Sequence, residues 1–206
     1  PMYYRCCLVA LSLLVGCSGE GISPPAVDPQ AAARAAMTQY DTNKNGALDG
    51  DELAAAPGFN AALPSMDQDH DGQLSTDEIA SRVKVIVGDE VGMLQLRCTV
   101  TLDGQPLAGA LVTAIPEPAL GSQFRRATGT TGNDGRAGLT MGLEGFPGMQ
   151  CGIFRIEISH KDEAGQETLP AKYNTATTLG MEVAMDLPTT ERGMKFALSS
   201  KPEPKQ

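Results

Sequence analysis

Apolar positions recur along this chain with two different periods. Up to residue 91 the spacing is helical. Residues 30–40, QAAARAAMTQY, are strong helix formers throughout, with Asp28 and Pro29 in the positions of an N-cap and a first-turn proline. A second helix is predicted from Ser75 or Thr76 through STDEIASRVKVIV, where Ile79, Val83 and Ile86 share one face and Ser75 with Glu78 fits a capping box. Beyond Gly92 the period falls to two. In MLQLRCTVTL, Leu94, Leu96, Cys98, Val100 and Leu102 lie on one face, and Gln95, Arg97, Thr99 and Thr101 on the other. This strand ends at Asp103-Gly104, a strong turn signal. Further strands are predicted at 110–115, 124–128, 136–141, 153–159, 181–187 and 194–198. Seven short strands with turns between them, and no helix, predict an antiparallel β-sandwich of roughly 110 residues.

The expected architecture is α+β in two domains, a compact helical unit at 30–91 and the seven-stranded sandwich at 92–200, with a tail at 201–206. Ahead of them, 1–17 reads as an export segment and 18–29, rich in Gly, Pro and Ser, as a tether. The apolar run from Cys6 to Val15 is too short to span the ~30 Å hydrocarbon layer. Its end, Leu14-Val15-Gly16-Cys17, resembles a bacterial lipobox. That resemblance implies lipid modification of Cys17 and an exported protein held on a membrane; an ordinary signal peptide with an incidental cysteine is the other reading. Removing the export segment and assigning Cys17 to lipid leaves Cys98 and Cys151. In an oxidising compartment they could pair, or stay as two buried thiols. The phase of the strand at 153–159 puts Cys151 opposite to its inward residues, and the glycines around it leave both outcomes open.

Charge sharpens the division. The formal net charge is −9, but residues 28–91 hold 12 Asp/Glu against 4 Lys/Arg, whereas residues 92–206 hold 12 against 11. The acidity belongs to one segment, which attracts cations and repels nucleic acid. No basic patch interleaved with aromatic residues appears, so nucleic acid is not an expected partner.

That segment contains an internal repeat. DTNKNGALDGDE (41–52) and DQDHDGQLSTDE (67–78) both read D-x-[DN]-x-[DN]-G-x-L-x-x-D-E. A hard cation of calcium's size needs six to eight oxygens at ~2.3–2.6 Å, which one short segment supplies only by bending tightly around the ion. The candidate ligands are Asp41, Asn43, Asn45, Ala47 (through its carbonyl), Asp49 and Glu52 in the first loop. In the second they are Asp67, Asp69, Asp71, Gln73 (carbonyl), Ser75 and Glu78. Gly46 and Gly72 stand where the chain turns with positive φ. Leu48 and Leu74 are the apolar residues expected where two such loops pair across a short strand contact. The repeat resembles the EF-hand calcium loop, which implies two bound Ca2+ ions. Loop one offers three ligand carboxylates and loop two four, so the second is expected to bind more tightly. His70, at the fourth position, is expected to face solvent. The loops start only 26 residues apart, and Pro57 and Pro64 lie between them, so the linking helices must be abbreviated.

In the second half, TLDGQPLAGALVTAIPE (101–117), TGTTGNDGRAGL (128–139) and GIFRIEIS (152–159) resemble the carboxypeptidase-regulatory-like, or transthyretin-like, sandwich. LPAKYNTATTLGMEVAMDL (169–187) looks like segments of bacterial surface lipoproteins that carry this domain. The resemblance implies a fold and no peptidase. With only His70 and His160 there is no zinc-ligand spacing, and no G-x-S-x-G elbow supports a nucleophile. Transthyretin-like hydrolases of purine breakdown rely on histidines, arginines and a C-terminal tetrapeptide that this chain lacks. The expected protein is non-enzymatic: a calcium-binding, lipid-anchored envelope component whose sandwich contacts an unidentified protein or glycan. A calcium-responsive accessory subunit is the alternative.

Overall fold

The structure, a computed structural model, describes residues 24–88, 91–143 and 147–201. The segment expected to direct export (1–17), with Cys17, and the tail beyond Lys201 lie outside these. The fold is mixed α+β, with four helices before residue 89 and most of the strands after it. Among the described residues no helix is long and apolar enough to cross a membrane.

The helical layer forms as its sequence dictates. Helix α1 (Pro29–Tyr40) starts at Asp28, whose side chain accepts the Gln30 N–H at 2.9 Å. After the first acidic loop and the two-residue strand β1 (Ala47–Leu48) comes α2 (Gly50–Ala55), then α3 (Pro57–Met66). Pro57 is at the start of α3, where its missing N–H costs nothing. Pro64 lies inside that helix, but both it and Asn60, whose carbonyl loses its partner, are exposed, so water can satisfy the carbonyl. The second loop leads through β2 (Leu74–Ser75) into α4 (Thr76–Gly88). Ser75 and Glu78 exchange hydrogen bonds at its start, and Ile79, Val83 and Ile86 are buried on one face, as the periodicity predicts.

The remaining strands make two four-stranded sheets. One has the order β6 (Ala127–Thr130), β5 (Leu111–Pro116), β8 (Gly152–Ser159), β9 (Leu179–Val183), all antiparallel. The other is built on β3 (Leu96–Leu102). One edge of β3 carries β10 (Met194–Leu198); the other carries β7 (Arg136–Leu139) and then β4 (Gln105–Pro106). The chain crosses from β9 to β10 through a short helix, α5 (Pro188–Arg192), and β10 enters parallel to β3. This corrects the expected seven-stranded antiparallel arrangement: the two sheets hold eight strands, and one pair is parallel. The strand expected at 124–128 begins only at Ala127, because Phe124 is buried under the helical layer, and the one expected at 181–187 runs from Leu179 to Val183.

Two cores result. Val100, Val112, Phe154, Ile156, Met181 and Phe196 fill the space between the sheets. Phe59, Met66, Leu48, Leu74 and Ile79 pack with Leu120, Ile153 and Ala184 on the opposite face of the β6-β5-β8-β9 sheet. That sheet is therefore covered on both faces, which is why β8 opens with the unbroken buried run Gly152-Ile153-Phe154. The helical layer sits on the sheet through a shared core, with no clean boundary at residue 91. The approach is close: a Cβ on Gly180 of β9 would lie 1.7 Å from the Pro57 carbonyl oxygen, so glycine is required there. The cysteines fall on opposite sides of the same sheet. Cys98 is in the inter-sheet core and Cys151 in the helix-side core, and no disulfide joins them.

Candidate metal centre

The two acidic loops meet back to back. Strands β1 and β2 pair antiparallel with Ala47 opposite Ser75 and Leu48 opposite Leu74, and both leucines are fully buried. The pairing fixes one loop relative to the other.

Inside each loop the same hydrogen bonds recur. Asp41 accepts the Asn45 N–H at 3.2 Å and the Gly46 N–H at 3.1 Å; Asp67 accepts those of Asp71 at 3.2 Å and Gly72 at 2.9 Å. Asn43 and Asp69 accept the N–H two residues on, at 2.8 and 3.3 Å. Asn45 and Asp71 do likewise for Ala47 and Gln73, at 3.0 and 2.8 Å. Glu52 folds back to accept from the Thr42 and Asn43 N–H groups at 2.8 and 3.0 Å, and Glu78 from the Gln68 N–H at 2.8 Å. Their second oxygens accept the Asp49 and Ser75 N–H groups at 3.3 and 2.9 Å. The bend is made at Gly46 (φ 90°) and Gly72 (φ 81°). Lys44 (φ 59°) and His70 (φ 61°) also adopt the left-handed conformation, which is uncommon for a lysine. His70 is exposed, as expected.

The ninth positions differ. Asp49 accepts from the Asn45 side-chain amide at 2.8 Å, whereas the Ser75 hydroxyl donates to Glu78 at 2.7 Å. In loop two, Asp67, Asp69 and Asp71 bring carboxylate oxygens within 4.8 Å of one another. Loop one has asparagines at two of those three places, so its local charge is lower. The Asn43 N–H above all, with further bonds from Thr42 and Asp49, holds the Glu52 carboxyl below the usual range against its burial. Burial opposes ionisation of Asp67 and Glu78 too, but the backbone N–H groups of Gly72, His70 and Asp71, and those of Ser75 and Gln68, outweigh it and lower both. Every candidate donor is an oxygen, without a histidine or thiolate, and the backbone favours the ionised form of Glu52, Asp67 and Glu78. The set fits a hard divalent cation and no soft one.

Two buried acids that sequence reasoning missed tie this unit to the sheet. Glu117, which follows β5 and is fully buried, accepts from the Tyr40 hydroxyl at 2.6 Å and the Gly58 N–H at 2.8 Å. Glu182 of β9 accepts from Arg82 of α4 and from the Ser65 hydroxyl; Arg82 also donates to Asp186 at 2.6 and 2.9 Å. Arg82 alone had a legible signal, an arginine on the stripe of Ile79, Val83 and Ile86. Comparison with protein-family models, curated proteins and solved structures finds no match.

Proposed function

We propose that the paired loops form an EF-hand-like site for two Ca2+ ions, and that calcium clamps the helical layer onto the sheets of an exported, membrane-anchored binding protein. The observation that carries this reading is the twice-repeated cage, in which side-chain oxygens of positions one, three, five and twelve are oriented by the same backbone N–H groups. Positions 41, 43, 45, 49 and 52 would hold one ion with the Ala47 carbonyl; 67, 69, 71, 75 and 78 would hold the other with the Gln73 carbonyl. The ions supply positive charge to crowded carboxylates and join the ends of each loop.

A clamp is favoured over a sensor. A sensor opens its helices to expose an apolar groove. Here Met66 is fully buried, and α3 and α4 are held to β9 by Ser65, Arg82 and Glu182. With extracellular calcium at ~1 mM and a dissociation constant near ~10 μM, binding would add about 2.7 kcal/mol to the folded state. The two facing sheets support the carboxypeptidase-regulatory-like reading of the second half, as a non-catalytic module that contacts an envelope protein or glycan. Attachment through Cys17 completes the proposal. Calorimetric calcium titration of the full chain tests the site: two ions per chain are expected, one lost with Glu52→Gln and the other with Glu78→Gln. No heat at millimolar calcium with an unchanged melting temperature would refute it.

A further inference from the structure

The solvent face of the β10-β3-β7 sheet, on the far side from the acidic loops, carries the opposite charge. Lys195 of β10 and Arg136 of β7 both stand opposite Thr99 of β3, one on each edge, so about 10 Å separates their Cα atoms. Arg97 lies two residues earlier on the same face of β3. Arg192, the last residue of α5, reaches this face because Gly193 (φ 79°) turns the chain against β3; a Cβ there would stand 3.0 Å from the Arg97 carbonyl oxygen. The parallel entry of β10 thus gathers four cations from four elements around one cavity of about 570 Å³, whose single carboxylate among the described residues is Glu191. Among the described residues Arg97, Arg192 and Lys195 have no carboxylate within 4.0 Å, and Arg136 reaches only Asp134, at 3.9 Å. On a chain of net charge −9, four like charges converging on one concavity repel one another unless an anion joins them.

We propose that this cavity binds a small ligand bearing phosphoryl groups. Three arginines offer planar forks that match phosphate oxygens two at a time. A phosphate monoester brings nearly two negative charges in one group, where a carboxylate brings one. The volume is that of a small-molecule site. Among the described residues no aromatic side chain lines it to offer the platform on which nucleic-acid bases stack.

The test titrates the full chain with a sugar bisphosphate in EDTA, which keeps the acidic loops from carrying phosphate through calcium. One ligand per chain is expected, with affinity reduced about tenfold by Arg97→Gln or Arg192→Gln. Arg126→Gln, an exposed arginine elsewhere, should change nothing. Vesicles of phosphatidylcholine with phosphatidic acid form a second arm. Vesicle binding with the same dependence on Arg97 and Arg192, in the absence of bisphosphate binding, would assign the phosphoryl group to a lipid. Three outcomes overturn the proposal: no saturable binding in either arm, an equal loss with Arg126→Gln, or tighter binding of a single-stranded DNA oligomer than of either phosphate probe.

Discussion

The Tyr40 hydroxyl donates a 2.6 Å hydrogen bond to Glu117, 77 residues away, and the same carboxylate accepts the Gly58 N–H. Tyr40 is the last residue of α1, immediately before the first loop, and Gly58 is near the start of α3, just after α2 leaves that loop. One buried acid thus holds both sides of loop one against the sheet. Glu182 serves loop two in the same manner, through Ser65 before it and Arg82 after it. Each loop is flanked by helices fixed to one sheet carboxylate, which is the physical sense in which the helical layer and the sheets are one body.

Burial pushes the Glu117 carboxyl up, against the Tyr40 and Gly58 hydrogen bonds that favour its ionised form. Its folded pKa therefore exceeds the unfolded value near 4.5, so its contribution to stability is full below pH 4.5 and is lost as pH rises through the folded value. Glu117→Gln keeps an acceptor for Gly58 without the charge. Urea melts from acid to neutral pH should show the variant at least as stable as the parent at neutral pH, with a flatter pH profile. Glu117→Ala leaves the buried Gly58 N–H and the Tyr40 hydroxyl without their acceptor and should be about 1–3 kcal/mol less stable than Glu117→Gln at every pH, since neither variant titrates there. A Gln variant that is as damaged as the Ala variant would show that the negative charge itself is needed.

Arg82 and Glu182 have side chains only 7% and 4% exposed. Burial disfavours the guanidinium charge, but Asp186 and Glu182 outweigh it and raise its pKa further. Removing one member strands the other, so Arg82→Ala should destabilise by about 3–5 kcal/mol. The double variant Arg82→Met/Glu182→Leu removes both charges and should recover most of that loss in the same denaturation assay. Failure to recover would mean that Asp186 and Ser65 depend on the pair.

Leu48 and Leu74 stand opposite each other across the β1–β2 pair, and both are fully buried between the two loops. Leu74→Ala should cost about 2–5 kcal/mol through the cavity it leaves. Because β1 and β2 carry one loop to the other, it should weaken calcium binding at both sites, where Glu78→Gln weakens one. Calcium titrations of the two variants separate these outcomes.

The local grammar of the helices was readable: the Asp28 cap, the Ser75–Glu78 box and the stripe of Ile79, Val83 and Ile86 all follow from short-range rules, and so do the loop residues and their paired leucines. What the sequence hid is long-range. Nothing local says that β10 enters parallel to β3, because that depends on the crossover through α5. Glu117 sits between two prolines and resembles a turn residue; only the helix docked above it makes it a buried acceptor. Gly180 looks like a weak point in a strand until Pro57 is placed against it. The core shared by the helical layer and the sheet was hidden for the same reason, since a sheet covered on both faces shows in sequence only as the brief apolar run at the start of β8.

Burial pushes the Cys98 thiol up to about 11, and both Cys98 and Cys151 are nearly inaccessible. A thiolate-directed reagent at neutral pH should leave both unmodified in the native chain and alkylate both in urea, as located by mass spectrometry. A reductant should not change the melting temperature. Rapid native labelling of Cys151 alone would show that the helical layer lifts from the sheet.

Loop two should hold calcium more tightly than loop one, since Asp67, Asp69, Asp71 and Glu78 supply four carboxylates against three from Asp41, Asp49 and Glu52. More negative charge raises the affinity for a hard cation, and the 4.8 Å clustering of Asp67, Asp69 and Asp71 costs more in the empty loop. Which of the two dominates is measurable: Glu52→Gln should leave the tighter site and Glu78→Gln the weaker. The depressed carboxyls set the pH limit. Glu52, Asp67 and Glu78 have folded values below 4.5, 3.8 and 4.5, so their contribution to the native loops is present above those values and is lost as pH falls through the folded ones. Calcium should therefore remain bound in mild acid and be released only below the usual carboxylate range. If Glu78→Gln left the tighter site instead, repulsion among the three aspartates would be the larger effect, and that variant's remaining affinity would measure loop one alone.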